Sequence, residues 1–256
     1  MNKPVVALSF IAILAACEER APAPPGSPPQ AQLPIPTAAP DTLIPLDAEV
    51  AAHDIDFDTL HSAMTRIEQQ LAGGARAPEM PKLLLRLGMM KLVHEPHFED
   101  TTGLAHVKAR PAEFVYNEFH DFYAYNGHHF REVIARYPNS GLADDAAYLM
   151  TKLKSTNQEC EGWVPCYLHR EWQPVKEFIS AYPTSPLADS ALTRVITAFD
   201  GYVDPARLDS NYETDAAEVG QIVEGFDSVS IRLPVPLRSR ALTAVARWRV
   251  WVTDAK

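Results

Sequence analysis

Residues 131–146, REVIARYPNSGLADDA, match residues 176–191, KEFISAYPTSPLADSA, at a spacing of 45. Identity falls on Glu132/Glu177, Ile134/Ile179, Tyr137/Tyr182, Pro138/Pro183, Ser140/Ser185, Leu142/Leu187, Ala143/Ala188, Asp144/Asp189 and Ala146/Ala191. No other feature constrains the fold as much, because each identity has a mechanical use in two helices joined by a tight turn. Pro138 and Pro183 cannot continue a first helix. Ser140 and Ser185 suit the cap of a second, with Pro186 at its favoured first position. Asp144 and Asp189 fall in the first turns of that second helix, where a negative charge complements the dipole. Ala143 and Ala188 let the helices approach closely, while Tyr137, Tyr182, Leu142 and Leu187 fill the space around the turn. All of these are read as structural positions. A weaker third copy runs from Ile222-Val223-Glu224-Gly225-Phe226 to Ala241-Leu242, having lost the Tyr-Pro turn and gained an insertion. Helix pairs repeated along a chain bury a core only by stacking, which predicts an α-solenoid.

The rest of residues 46–256 carries apolar side chains at spacings of three and four and no convincing alternation, so this region is expected to be all-α. Phe57, Leu60, Met64, Ile67 and Leu71 form one stripe, with Asp56 or Asp58 to cap its start and Gly73-Gly74 to end it. A second helix from Pro81 is apolar nearly all round, predicting burial until Pro96 stops it. A loop is expected near 97–110. From Pro111 to Tyr137 the stripe Phe119, Phe122, Asn126, Phe130, Val133, Tyr137 stays in phase, which favours one kinked helix over two abutting ones. The last helix follows Pro234-Val235-Pro236, with Leu237, Ala241, Ala244, Trp248 and Trp251 or Val252 inward. Its Arg238, Arg240, Arg247 and Arg249 stand partly outward.

The N-terminus bears on location. Lys3 gives a positive start, Val5 to Ala15 a short apolar core, and Leu14-Ala15-Ala16-Cys17 is similar to the lipobox of bacterial lipoprotein precursors. The apolar run from Pro4 to Ala16 is 13 residues, short of the roughly 20 that cross a bilayer as a helix. Residues 1–16 are therefore expected to be a signal peptide, with Cys17 lipidated. The alternatives are ordinary secretory cleavage and a retained N-terminal helix. Glu18 to Pro45 holds nine prolines in 28 residues and reads as a tether reaching up to roughly 90 Å in polyproline II. The competing reading is a strap in which Leu33-Pro34-Ile35-Pro36 and Leu43-Ile44 pack along the domain. With Cys17 taken by lipid, Cys160 and Cys166 form an even pair suited to a disulfide in an oxidising compartment. A redox pair, or a metal site recruiting His169, would compete, but C-x5-C is not redox spacing. The net charge of −10 argues against nucleic acid and against a polybasic membrane patch.

Chemistry is harder to find. His94-Glu95-Pro96-His97 places histidines three apart across a proline, not four apart on a helix as a zincin requires. His120, His128 and His129, with Glu95, Glu99 and Asp100, could assemble a metal site on folding, although surface or packing roles fit better. Glu118 and Asp121 beside Phe119, Phe122, Tyr123 and Tyr125 could line a cleft or stand opposite a core stripe. No G-x-S-x-G elbow, P-loop or G-x-G-x-x-G appears. Neither catalytic residues nor a cofactor are expected.

Phe/Val-Ile-x-x-Tyr-Pro-x-Ser-x-Leu-Ala-Asp-x-Ala resembles the tetratricopeptide-type repeats of bacterial periplasmic proteins. Together with the lipobox, the chain resembles the tetratricopeptide outer-membrane lipoproteins of the β-barrel assembly machinery. The match is good over 111–200, poor over 212–252 and generic over 46–100. The resemblance implies a helix-turn-helix solenoid, a diacylglyceryl and N-acyl group on Cys17, and, since Glu18 is not Asp, the periplasmic face of the outer membrane. It implies an adaptor that binds envelope proteins or peptides. An immunity or inhibitor lipoprotein is the other reading, motivated by the acidic surface and the insertion at 155–170.

Overall fold

In the computed structural model the described residues are 57–94, 96, 100–118, 121–153, 159–202 and 212–254. The signal segment 1–16, Cys17 and the tether 17–45 lie outside them, as do Asp56, Glu95, His97, Glu99, Phe119 and His120. Helices dominate: α1 Phe57–Ala72, α2 Met80–Val93, α3 Thr101–Lys108, α4 His128–Arg136, α5 Ala143–Met150, α6 Val164–Ala181, α7 Ala188–Tyr202, α8 Ala216–Ser230 and α9 Val235–Asp254. One antiparallel hairpin, β1 Phe114–Asn117 and β2 Phe122–Tyr125, interrupts them. No helix among the described residues is long and apolar enough to cross a membrane.

The backbone hydrogen bonds of the repeated turn are the same in both copies. Tyr137 and Tyr182 close their helices with nearly equal φ values, −131° and −130°. Their amides donate to Val133 and Phe178 at 2.9 and 2.8 Å, and the Ser140 and Ser185 amides donate back to Tyr137 and Tyr182 at 2.9 and 3.1 Å. Ala143 and Ala188 then donate to Ser140 and Ser185 before each second helix begins. Proline after the tyrosine can occupy this turn because its missing N–H is not needed there.

The serine roles differ from expectation. Ser140 does not cap α5, whose N-cap is Leu142 without a side-chain bond; its hydroxyl donates to the Tyr137 carbonyl at 2.7 Å. Ser185 accepts the Leu187 amide at 3.2 Å and donates to the Asp144 carboxylate of the preceding unit at 2.7 Å. Pro186 stands ahead of α7 and not at its first position, because a turn of 3-10 type intervenes. The aspartates thus tie one unit to the next: Asp144 takes Ser185, and Asp189 takes Arg240 of α9 at 2.7 Å. The third unit, α8 and α9, uses a different turn in which Leu233 donates to Ser230 and Arg238 to Pro234.

The proposed helix through Pro111–Tyr137 is overturned: the segment is a hairpin followed by α4. Phe114 faces Tyr125 and Asn117 faces Phe122 across the ladder. Burial along β1 runs inward, outward, outward, inward, and β2 is buried at three of four positions, so no alternation marked either strand. Gly127 stops any continuous helix. It caps α4 at φ +84°, and a Cβ there would lie 2.6 Å from Met150 Sδ. The expected loop at 97–110 is also corrected, since Thr101–Lys108 is helical, with Asp100 accepting the Gly103 amide at 2.8 Å.

Most of the core is one cluster running from Leu84 and Leu85 on α2 through Phe130, Trp172, Phe199 and Phe226 to Trp248. Leu60, Met64 and Ile67 of α1 form a small second cluster with Leu87 of α2, with Leu71, Leu83 and Met90 packed against it.

Candidate functional site

A cleft of about 630 Å³ opens between α6 and α8, the first helices of consecutive pairs. Its rim is built by the disulfide loop. Cys160 and Cys166 are bonded, and within that loop Glu161 and Gly162 take positive φ, 46° and 85°. Glycine tolerates this backbone freely, which lets the chain turn sharply enough for the Trp163 amide to donate to Cys160 O at 2.6 Å. A short parallel bridge then sutures the loop to the segment before α8, with Val164 donating to Glu213 at 2.8 Å and Glu213 to Gly162 at 2.9 Å. Trp163 also donates its indole N–H to Glu218 at 3.3 Å.

Trp172 forms the floor, 3% exposed and 4.7 Å from the Phe226 ring. Gly225 is the residue of α8 beside it. Ile222 and Pro165 give apolar wall; Gln173, Gln221, Glu218, Lys176 and the exposed His169 give hydrogen-bonding groups. An aromatic floor beneath amide and charged side chains suits an extended peptide, whose backbone needs donors and acceptors at intervals. No nucleophile and base are paired here. The cysteine–His169 metal alternative fails because Cys166 is committed to the disulfide.

A second polar concentration lies between α1, α2, α3 and the hairpin. Lys91 is fully buried, and its ammonium donates to Glu68 at 2.9 Å and to Glu113. Arg110 Nε also binds Glu68 at 2.9 Å. Burial by itself would raise the Glu68 pKa, but the Arg110 and Lys91 hydrogen bonds outweigh it and hold the carboxyl below its usual range. His129 faces Glu113 at 4.0 Å and lies 2.9 Å from the Tyr125 hydroxyl. Burial, with Lys91 adding to it, lowers the His129 pKa to about 3, and burial pushes the Tyr125 phenol up.

Beside this network the His61, His94 and His106 rings converge, with centroids 4.8 to 5.7 Å apart. Burial is the main cause that lowers His94 to about 4 and His106 to about 3, keeping both neutral. The expected histidine set is not the one assembled: His129 joins the Lys91 network, His128 is exposed, and His94 meets His61 and His106 instead. Among the described residues no group of three His, Cys, Asp or Glu side chains could hold a metal ion. Glu118 and Asp121 are absent from the lining of the α6/α8 cleft. They are exposed beside the hairpin turn, where Tyr116 donates to Asp121 at 2.5 Å.

Sequence reasoning passed over Lys91, Glu68, His61 and His106. A faint signal existed: His61 and Glu68 follow the α1 stripe at Leu60 and Ile67, and a lysine inside a helix apolar all round must carry buried charge.

Fold and cleft together define a protein of paired helices, mostly α, with a hairpin insertion and a disulfide-edged groove. No protein family, curated protein or solved structure matches the chain.

Proposed function

We propose that this protein is a lipid-anchored periplasmic adaptor of the outer membrane, a tetratricopeptide-like solenoid that holds an extended segment of an envelope protein. The observation that carries the reading is the α6/α8 cleft, set on the first helices of two successive units, the face on which stacked helix pairs present their partners. The duplicated turn and the Asp144–Ser185 and Asp189–Arg240 joints support the solenoid. The lipobox at Cys17 and the proline-rich tether support the anchoring. The period of 45 exceeds the tetratricopeptide length of about 34, so the kinship proposed is one of architecture.

The test is a photo-crosslinking residue at Ile222 of the full-length lipoprotein in cells, with mass spectrometry of the adducts. Barrel-assembly or wall-synthesis proteins are expected at Ile222 and not at exposed Ser180. Equal adducts at both positions would remove the cleft from the mechanism. The stapled loop at the cleft rim favours the second reading, an inhibitor of a periplasmic toxin or enzyme. A single secreted hydrolase or toxin crosslinked through Trp163 would establish it.

A further inference from the structure

We propose that the α6/α8 cleft selects an acidic side chain of the extended segment it holds, bound by the indole N–H of Trp172 and the ammonium of Lys176. The inference rests on the adaptor reading above and adds the chemistry that the cleft recognises. Trp172 and Lys176 stand four residues apart on α6, a spacing that puts them on one face of the helix, and both line the cleft. Trp172 is 3% exposed. Among the described residues its Nε1–H has no hydrogen-bond partner, whereas the indoles of Trp163 and Trp248 donate to Glu218 and Asp200. Buried donors are rarely left so. Lys176 likewise forms no ion pair among the described residues.

A group that accepts from a neutral N–H and also neutralises an ammonium is a carboxylate, one oxygen to each. The carboxylate of the cleft itself is committed elsewhere. Glu218 holds the Trp163 indole at 3.3 Å and precedes Gly225 by seven residues, about two turns along α8. Ile222 and Pro165 supply apolar wall for a methylene stem. The acid is therefore an Asp or Glu side chain reaching down to the Trp172 floor from a segment laid across the rims, and not a chain terminus.

Gly225 is the residue that keeps the floor open. It lies inside α8, where glycine is the poorest helix former after proline, and it does not take a positive φ. A Cβ there would meet Trp172 Nε1 at 3.7 Å and no other element within 4 Å, so packing does not demand glycine. Gly220 of the same helix differs, since its Cβ would press on Val252 of α9 at 3.3 Å. At Gly225 a methyl would instead stand in the space through which an acceptor reaches the indole N–H.

The test presents the immobilised full-length chain with three pools of short peptides, random and uncharged around one fixed position. The first has glutamate there and an amidated C-terminus, the second glutamine and an amidated C-terminus, the third glutamine and a free C-terminal carboxylate. The glutamate pool should be retained about tenfold over the amidated glutamine pool, the weight of a hydrogen bond to a charged group. Lys176→Gln should bring the two pools level. Gly225→Ala should remove most of the preference while leaving the urea midpoint at or above that of wild type, a combination that a merely structural glycine would not give. Equal retention of the glutamate and amidated glutamine pools, or of none, would overturn the proposal. So would stronger retention of the free-carboxylate pool, or a preference that survives Lys176→Gln. Crosslinking at Ile222 separates this inference from the adaptor reading: envelope adducts that persist while the pools are retained equally leave the adaptor standing and sink the acidic-side-chain inference alone, and loss of both sinks both.

Discussion

Replacing Lys91 with Met keeps the length of the side chain and deletes only its charge, which isolates the buried ion network. The ammonium is fully buried and serves two carboxylates, Glu68 at 2.9 Å and Glu113. After the change Glu68 still has Arg110, but among the described residues the Glu113 carboxylate keeps only neutral His129 at 4.0 Å. Breaking one side of a buried pair costs about 3–5 kcal/mol, because the surviving charge is stranded. Glu113 retains 17% side-chain exposure, so water relieves part of that and the lower end, about 3 kcal/mol, is expected. For a domain of this size that is roughly 6–12 °C in Tm. Urea unfolding followed by tryptophan fluorescence reads it directly. Adding Glu113→Gln should return about 1–2 kcal/mol, since the stranded charge is gone. A Lys91→Met protein within 0.5 kcal/mol of wild type would refute the network argument. So would a double mutant whose losses simply add.

Gly88→Ala should destabilise by about 1–2 kcal/mol despite better helix propensity, because the new methyl would sit 2.5 Å from the buried Phe130 ring and overpacking outweighs the helix gain. Phe130→Leu should relieve it, and a double mutant whose losses simply add would contradict the packing account. Acid should destabilise the chain. His94, His106 and His129 have folded pKa values near 4, 3 and 3, so below about pH 6.5 the unfolded state binds protons that the folded state refuses. Asp145, raised to about 6 by burial and then by Asp144, works in the opposite sense between about pH 6 and 4. The net of about two protons near pH 5 sets a ceiling of about 2.7 kcal/mol per pH unit; urea midpoints that stay level from pH 7 to 5 would rule it out. Reducing Cys160–Cys166 should cost about 2 kcal/mol from loop entropy and weaken partner capture, since the bond shapes the cleft rim. Unchanged capture after reduction would separate the rim from binding.

The duplicated turn could be read from the chain because a proline and a small polar residue at fixed offsets have few other uses. The inward faces of α1 and α9 were legible for a similar reason: Leu60, Met64 and Ile67, and Ala241, Ala244 and Trp248, are buried where their spacing put them. The hairpin was not. Phe122, Phe130 and Val133 happen to sit in helical phase, and the burial along β1 and β2 does not alternate, so period alone pointed the wrong way. The cleft and the histidine cluster were invisible for a different cause. Trp163 meets Glu218 across 55 residues, and His61 meets His94 across 33. Such meetings are made by packing, which local pattern does not encode. The serines show a third limit: Ser185 serves the neighbouring unit more than its own helix.

The joint between units has an evolutionary corollary. Asp144 and Asp189 occupy the same place in their helices, and each reaches forward to the unit that follows. A deletion of residues 145–189 would splice the start of α5 onto the body of α7 and leave an aspartate facing Arg240, with no new connection to invent. Duplication in the opposite direction adds a unit whose forward contact already exists. On the proposed solenoid, such a change would add or remove 45 residues at a step, and a groove built on it would lengthen by modular inheritance instead of by redesign.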